Sequence, residues 1–307
     1  MDFTGTTVTV VIGGVSQTVA VAADGSFSVS VPAGTTGFAV KVDTLNDDTY
    51  EGNEQYSLTA GTSGTPAVTG TATITDEADL PKVSGVAGDS VAEGSANTFT
   101  VTLSNASTSA TTVNLTLAGG TAEKGVDFTG TTVTVVIGGV SQTVAVAADG
   151  SFSVSVPAGT TGFAVKVDTL NDDTYEGNEQ YSLTAGTSGT PAVTGTATIT
   201  DEADLPKVSG VAGDSVAEGS ANTFTVTLSN ASTSATTVNL TLAGGTAEKG
   251  VDFTGTTVTV VIGGVSQTVA VAADGSFSVS VPAGTTGFAS RSIPSMTTPM
   301  KAMNSTA

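Results

Sequence analysis

Phe99-Thr100-Val101-Thr102-Leu103 and Val113-Asn114-Leu115-Thr116-Leu117 place an apolar side chain at every second position, with Thr or Asn between. A period of two puts all the apolar side chains on one face of an extended chain, whereas a helix needs them at every third or fourth position. The same alternation returns at Val133, Val135 and Ile137, at Val144 and Val146, and at Phe152, Val154 and Val156. It continues through Phe163, Val165 and Val167, then Tyr181 and Leu183, then Ala197 and Ile199. Val and Thr dominate because β-branched side chains suit a pleated, half-buried surface, and Gly, Asn, Asp or Pro separate the runs, so about nine strands are expected. Asp149-Gly150 predicts a two-residue type I′ hairpin turn, whose central residues both need positive φ. No window has a convincing amphipathic helical pattern. Short antiparallel strands at this spacing predict an immunoglobulin-like β-sandwich, and the four Phe of this stretch read as core.

Working outward, Asp127-Phe128-Thr129-Gly130 occurs earlier as Asp2-Phe3-Thr4-Gly5 and later as Asp252-Phe253-Thr254-Gly255, a period of 125 residues without substitution up to Ala289. Solenoid repeats of about 20–50 residues cannot bury a core alone, whereas a unit of this length can. The fold class expected is therefore all-β, as tandem immunoglobulin-like β-sandwich beads of 125-residue period. The expected organisation is the C-terminal part of a truncated repeat over 1–79, a complete repeat over 80–204, the N-terminal part of a third over 205–289, and an out-of-frame tail over 290–307.

The ends support that division. Met1 stands where the other copies have Val126 and Val251, as a valine codon taken for a start would give. From Ser290 the composition changes to three Met, two Pro and the only Arg of the chain, and a neighbouring reading frame would restore the register of Asp43 to Ser57. The sequence reads as an internal fragment of a longer repeat protein, with Ser290 to Ala307 expected to be unstructured.

The chain has 28 acidic and 8 basic residues and no His, Cys or Trp. That composition excludes Ser-His and Cys-His nucleophile pairs, His/Cys zinc sites and the usual haem and iron–sulfur ligation. A formal charge of −20 argues against nucleic acid as a partner, because phosphate-backbone affinity comes from Lys and Arg. Divalent cations are the natural counter-charge. Hydrophobic content of 38% is too high for a disordered acidic tail. No secretory signal, transmembrane run or lipid motif is visible, so direct membrane insertion is not expected of this stretch.

One repeat carries 13 acids and 3 Lys, and the acids gather at expected strand ends. Asp89 and Glu93 precede the first clear strand, and Glu123 and Asp127 follow the third. Asp168, Asp172, Asp173, Glu176 and Glu179 form the densest run, and Asp201, Glu202 and Asp204 lie at the junction with the next repeat. Sandwich loops cluster at two poles, so several groups converge if they share one, and Ca²⁺ takes six to eight oxygens from carboxylates and carbonyls. The candidate Ca²⁺ ligands are Glu93, Asp127, Asp172, Asp173, Asp201, Glu202 and Asp204, with Glu218 and Asp252 in the third copy. The alternative is that these acids are solvated charges that keep the protein soluble. Paired carboxylates for glycoside hydrolysis lack an aromatic sugar platform beside them, and no enzyme activity is expected. Asn105-Ala-Ser and Asn114-Leu-Thr are spelled as glycosylation sequons but read as coincidence in a Thr-rich repeat.

The run from Val91-Ala-Glu-Gly-Ser through Gly120-Thr-Ala-Glu-Lys-Gly-Val-Asp-Phe and Asn171-Asp-Asp-Thr-Tyr-Glu-Gly-Asn-Glu to Ile199-Thr-Asp-Glu-Ala-Asp resembles the Calx-beta domain across nearly the whole repeat. The resemblance implies a seven-stranded immunoglobulin-like sandwich that binds Ca²⁺ at one pole, with Glu93, Asp127, Asp201 and Glu202 on acidic positions of that pole. Two departures are an extra hairpin over about Ala145 to Val156 and Glu202 where the exchangers of that family continue an Asp run. Long identical tandem copies are similar to the extender region of giant bacterial surface adhesins exported by type I secretion (RTX-type). That implies an extracellular stalk at the bacterial cell surface, projecting a distal domain for adhesion and biofilm formation. Its expected partners are Ca²⁺ and neighbouring repeats of the same chain, with the ion at poles and linkers fixing the angle between neighbours. The competing reading is a multivalent glycan- or protein-binding module repeated along the stalk.

Overall fold

The computed structural model describes residue 3 and residues 5–294. The central copy contains β1 (Val83–Gly88), β2 (Ser90–Ala92), β3 (Ala96–Leu103), β4 (Ala106–Ser107), β5 (Thr111–Ala118) and β6 (Thr132–Ile137). It continues with β7 (Val140–Ala145), β8 (Ser151–Val156), β9 (Gly162–Asp168), β10 (Thr174–Tyr175), β11 (Glu179–Thr187) and β12 (Val193–Thr200). Two five-stranded sheets result, in the orders β8-β5-β11-β12-β2 and β7-β6-β9-β3-β1. The pairings are antiparallel except β12 with β2, which is parallel. Among the described residues no helix is long and apolar enough to cross a membrane.

The period-two pattern maps directly onto the core. Phe99, Val101, Val113, Leu115, Val135, Val154, Val165, Tyr181, Leu183 and Ile199 are all buried in one cluster, while Thr and Ser between them face outward. At the cluster's centre the ring of Tyr181 stacks on Phe128 at 4.3 Å and meets the edge of Phe99 at 5.5 Å. Its hydroxyl donates to Oδ1 of the buried Asn97 at 3.0 Å. Burial raises the Tyr181 hydroxyl's pKa, with the nearby Asp89 and Asp168 charges adding to it.

Asp89 sits where the chain leaves one sheet for the other, between β1 and β2. Its side chain accepts from Asn97 Nδ2 at 2.8 Å and Thr98 N at 2.9 Å, and its carbonyl accepts from Thr198 N at 3.0 Å. These bonds satisfy the backbone groups that a sheet-switching strand leaves open.

Two sequence expectations change here. The two-residue turn is Gly138-Gly139, with φ of 56° and 82°, which joins β6 to β7 with Ile137 opposite Val140. Asp149 does not have positive φ; only Gly150 does, at 85°, where a side chain would also meet the Leu117 carbonyl. Asp149 instead accepts from Ser151 N at 3.0 Å and Ser151 Oγ at 2.7 Å, so its role is a side-chain cap on the turn. The expected extra hairpin over Ala145 to Val156 is not one, because β7 and β8 lie in different sheets and the segment crosses the sandwich.

The flanking copies reuse the same strands. In the first, Glu54–Ala60 pairs with Val68–Ile74, and Leu58, identical in context to the buried Leu183, is 39% exposed. In the third, Gly287–Pro294 lies between Thr223–Leu228 and Phe253–Ile262. The strand therefore runs past Ala289 into the stretch expected to be unstructured. Ser290 and Ser292, both buried, occupy the core-facing positions that Val165 and Val167 hold in the central copy. The remainder of the tail, 295–307, lies outside the described residues, as does Asp2.

Consecutive copies touch. Thr49–Tyr50 pairs in parallel with Ala106–Ser107, and Thr174–Tyr175 pairs in the same way with Ala231–Ser232. A short 3-10 turn, Glu202–Asp204, ends the central copy and leads through Pro206 into the strand Val208–Gly213.

Candidate metal centre

Alternation along two strands explains how carboxylates come to face inward at one pole. Glu179 precedes Tyr181 and Leu183 at a spacing of two, and Asp201 follows Ala197 and Ile199 at the same spacing. Both acids thus continue the core face of β11 and β12 to the strand ends. Glu179 is directly opposite Ile199 in the ladder.

Two triads form there. Glu93, Asp201 and Asp204 bring one carboxylate oxygen each within 4.8 Å of one another, and so do Asp127, Glu176 and Glu179. Asp201 is 2% exposed and Asp127 5%. Backbone N–H groups of two loops hold them: between β10 and β11, Glu176 N donates to Asp201 Oδ2 at 2.6 Å and Gly177 N to the same oxygen at 3.4 Å, and between β5 and β6, Glu123 N donates to Asp127 Oδ2. Three carboxylate oxygens, Oδ1 of Asp201, Oε2 of Glu93 and Oε2 of Glu179, are buried with no hydrogen-bond partner.

The electrostatics follow from that crowding. Burial, then the charges of Asp201 and Asp172, push Glu93 up to about 7. Burial, then the neighbouring Asp127 carboxylate, push Glu179 up to about 8. Glu176 is raised by burial and by Asp127. Asp201 is raised by burial, although the N–H groups of Glu176 and Gly177 act in the opposite direction. A cluster of acids that resists ionising together, with oxygens left unpartnered, fits a hard divalent cation that takes oxygen ligands. Glu93, Asp201 and Asp204 would hold one such ion and Asp127, Glu176 and Glu179 another, the ion supplying the positive charge that the pole lacks.

The predicted ligands separate accordingly. Glu93, Asp127, Asp201 and Asp204 join triads, and Asp172 stands near enough to raise Glu93, Glu176 and Asp201 by its charge. Asp173 instead lines a cleft with Asp204, Lys207 and Asn230 at the junction, and Glu202 is exposed in the 3-10 turn. Glu218 and Asp252 are exposed, and among the described residues neither joins a triad. Glu176 and Glu179 were not among the sequence candidates. The spacing of Glu179 to Tyr181 was the signal for one of them, whereas Glu176 sits in a loop where no periodicity applies.

The Calx-beta domain model matches residues 23–78, 86–147, 148–203 and 211–271, most of the chain. The chain belongs to the Calx-beta domain family. Its four tandem Calx-beta domains are about 60 residues each, which corrects the expected unit of 125. The sequence period measures what is duplicated, and one period holds two Calx-beta matches. Strands of both, β5 from one and β8 and β11 from the other, meet in a single sheet and share one core. Among solved structures, the apo-form Calx CBD1 domain is 16% identical, with 38% of this chain and 96% of that one covered and a TM-score of 0.28. The calcium binding domain CBD12 of CALX1.1 is 14% identical over 68% of this chain and 74% of that one, TM-score 0.29. A tetra-tandem repeat in the extending region of a large adhesion protein is 20% identical over 90% of this chain and 58% of that one, TM-score 0.28. No curated protein matches the chain.

Proposed function

We propose that these Calx-beta repeats are a calcium-loaded extender, a stalk segment of a bacterial cell-surface adhesin that projects a distal binding domain. The observation that carries the reading is the pair of carboxylate triads at the pole beside the junction, in a chain whose copies are identical. A spacer gains length by duplicating one unit, and identical copies add reach without adding a new recognition site. Extracellular Ca²⁺ neutralises the pole, while the backbone N–H groups of Glu176 and Gly177 already hold the loop Asp172 to Glu179 onto the end of β12 through Asp201. The core is closed around Phe99, Phe128 and Tyr181, which leaves those aromatic rings unavailable as a ligand platform. Stretching the chain between a surface and a force probe tests the reading. A load-bearing calcium stalk unfolds at higher force in millimolar CaCl₂ than in EDTA; equal forces overturn it. The same chain on a glycan array returns no hits if it is a spacer, and a hit would favour the multivalent binder.

A further inference from the structure

We propose that Asn230 with Thr233, and Asn105 with Thr108 one junction earlier, form a β-clamp by which each repeat holds its neighbour at a fixed angle without an ion. The 3-10 turn Glu202–Asp204 ends with carbonyls that its own short turn cannot satisfy. The next copy supplies the donor: Asn230 Nδ2 donates to the Asp204 carbonyl and, at 3.2 Å, to that of Ala231, while its Oδ1 accepts from Ser229 Oγ. Every polar atom of the Asn230 amide is thus engaged at the junction.

Beside it, the backbone of Thr174–Tyr175 lies parallel to Ala231–Ser232, and Thr233 N donates to the Tyr175 carbonyl at 2.9 Å. This is strand addition between copies, in which main-chain bonds fix both distance and direction. Ser232 is buried, so water competes poorly for the bonds around it. Lys207 N donates to Ser229 Oγ at 3.0 Å and Ser229 N to the Lys207 carbonyl at 2.8 Å, which ties the linker to the same loop. Pro206 fixes φ between the two anchor points.

The earlier junction repeats these contacts. Asn105 Nδ2 donates to the carbonyls of Asp79 and Ala106, Thr108 N donates to the Tyr50 carbonyl at 2.9 Å, and Ser107 is buried. The first copy has few buried residues and the central one a full core, so the recurrence belongs to the junction sequence itself. It also explains Asn105-Ala106-Ser107: the side-chain nitrogen that a sequon would offer to a sugar is bonded across the junction.

The inference stands whether or not the pole holds calcium, and the test is run in EDTA to keep the two apart. The chain has no Cys, so Val140→Cys and Val265→Cys, at positions 72% and 71% exposed on neighbouring copies, accept spin labels at chosen points of the 307-residue chain. Pulsed electron paramagnetic resonance then gives the distribution of the label separation. The clamp predicts one narrow distribution in EDTA. Asn230→Asp, which keeps the size but removes the donor, and Asn230→Ala should each widen it roughly twofold, because domains joined by a small interface move by default. Asn105→Asp, at the other junction, should leave this label pair unchanged. A distribution that is broad in EDTA and narrows only with CaCl₂ overturns the clamp. So does a width that both Asn230 variants leave unaltered, or one that Asn105→Asp widens as much.

Discussion

The backbone N–H of Glu176 donates to Oδ2 of Asp201 at 2.6 Å, while Oδ1 of the same buried carboxylate has no partner. One oxygen therefore anchors the acidic loop to the end of β12, and the other is buried without a hydrogen-bond partner. The first copy keeps the anchoring half of this arrangement: Glu51 N donates to Asp76 Oδ2 at 2.6 Å. The loop attachment thus belongs to the repeat as a whole, and the second half, with Glu93 and Asp204 in reach, is assembled in the central copy.

Single charge removals should separate ligands from structural acids. Asp201→Asn and Asp127→Asn should each weaken calcium binding several-fold in a calorimetric titration, because each takes one charge from a triad. Asp149→Asn should leave binding unchanged, since its carboxylate serves Ser151 and an Asn oxygen can accept the same bonds. Equal losses at all three positions would contradict a localised site.

Acid pH should stabilise the metal-free protein. Burial and neighbouring acids push Glu93 up to about 7 and Glu179 up to about 8, against about 4.5 for an exposed Glu. Between those limits the unfolded chain gives up its protons while the folded one keeps them, so stability falls as pH rises from about 4.5 to 8. Melting in EDTA should be highest near pH 5 and decline towards pH 8, and CaCl₂ should flatten that decline. A midpoint in EDTA that rises from pH 5 to pH 8 would contradict the assignment.

The strand pattern and the core were legible because of alternation: Phe99, Val101 and Leu103, and Val113, Leu115 and Leu117, are buried as their spacing predicts, with the residues between them exposed. The two-residue turn falls at Gly138-Gly139 and not at Asp149-Gly150, because two adjacent Gly meet a double positive-φ requirement more readily than Asp does. Of the pole, Asp201 and Glu93 were legible as acids near strand ends. Which acids meet which depends on how the loops fold over one another, and spacing along the chain does not encode that. The 125-residue period was likewise plain, but it does not reveal that the family's own unit is half as long.

Ser290 and Ser292 bury hydroxyl side chains where the central copy buries Val165 and Val167. Replacing either with Val should stabilise the third copy by about 1–2 kcal/mol, somewhat under the value of fully burying such a side chain from water. Urea unfolding of the two variants checks it, and midpoints that do not rise would argue against the register of strand Gly287–Pro294.

Tyr181→Phe should cost about 1–2 kcal/mol, because it leaves Oδ1 of the buried Asn97 without its donor while keeping the ring stack on Phe128. Tyr181→Ala should cost about 3–5 kcal/mol through the cavity it opens. Urea unfolding should rank the two in that order, and an equal loss would show that the hydroxyl bond, not the ring, carries the contribution.

The most direct measurement is thermal unfolding of the 307-residue chain at pH 7.5, followed with EDTA and with millimolar CaCl₂. An ion at 100 times its dissociation constant adds about 2.7 kcal/mol per site to the state that binds it. With two carboxylate triads in the central copy, the melting temperature of that copy should rise clearly in CaCl₂, and the rise should shrink in Asp201→Asn. A melting temperature that calcium does not move would contradict the account at its centre.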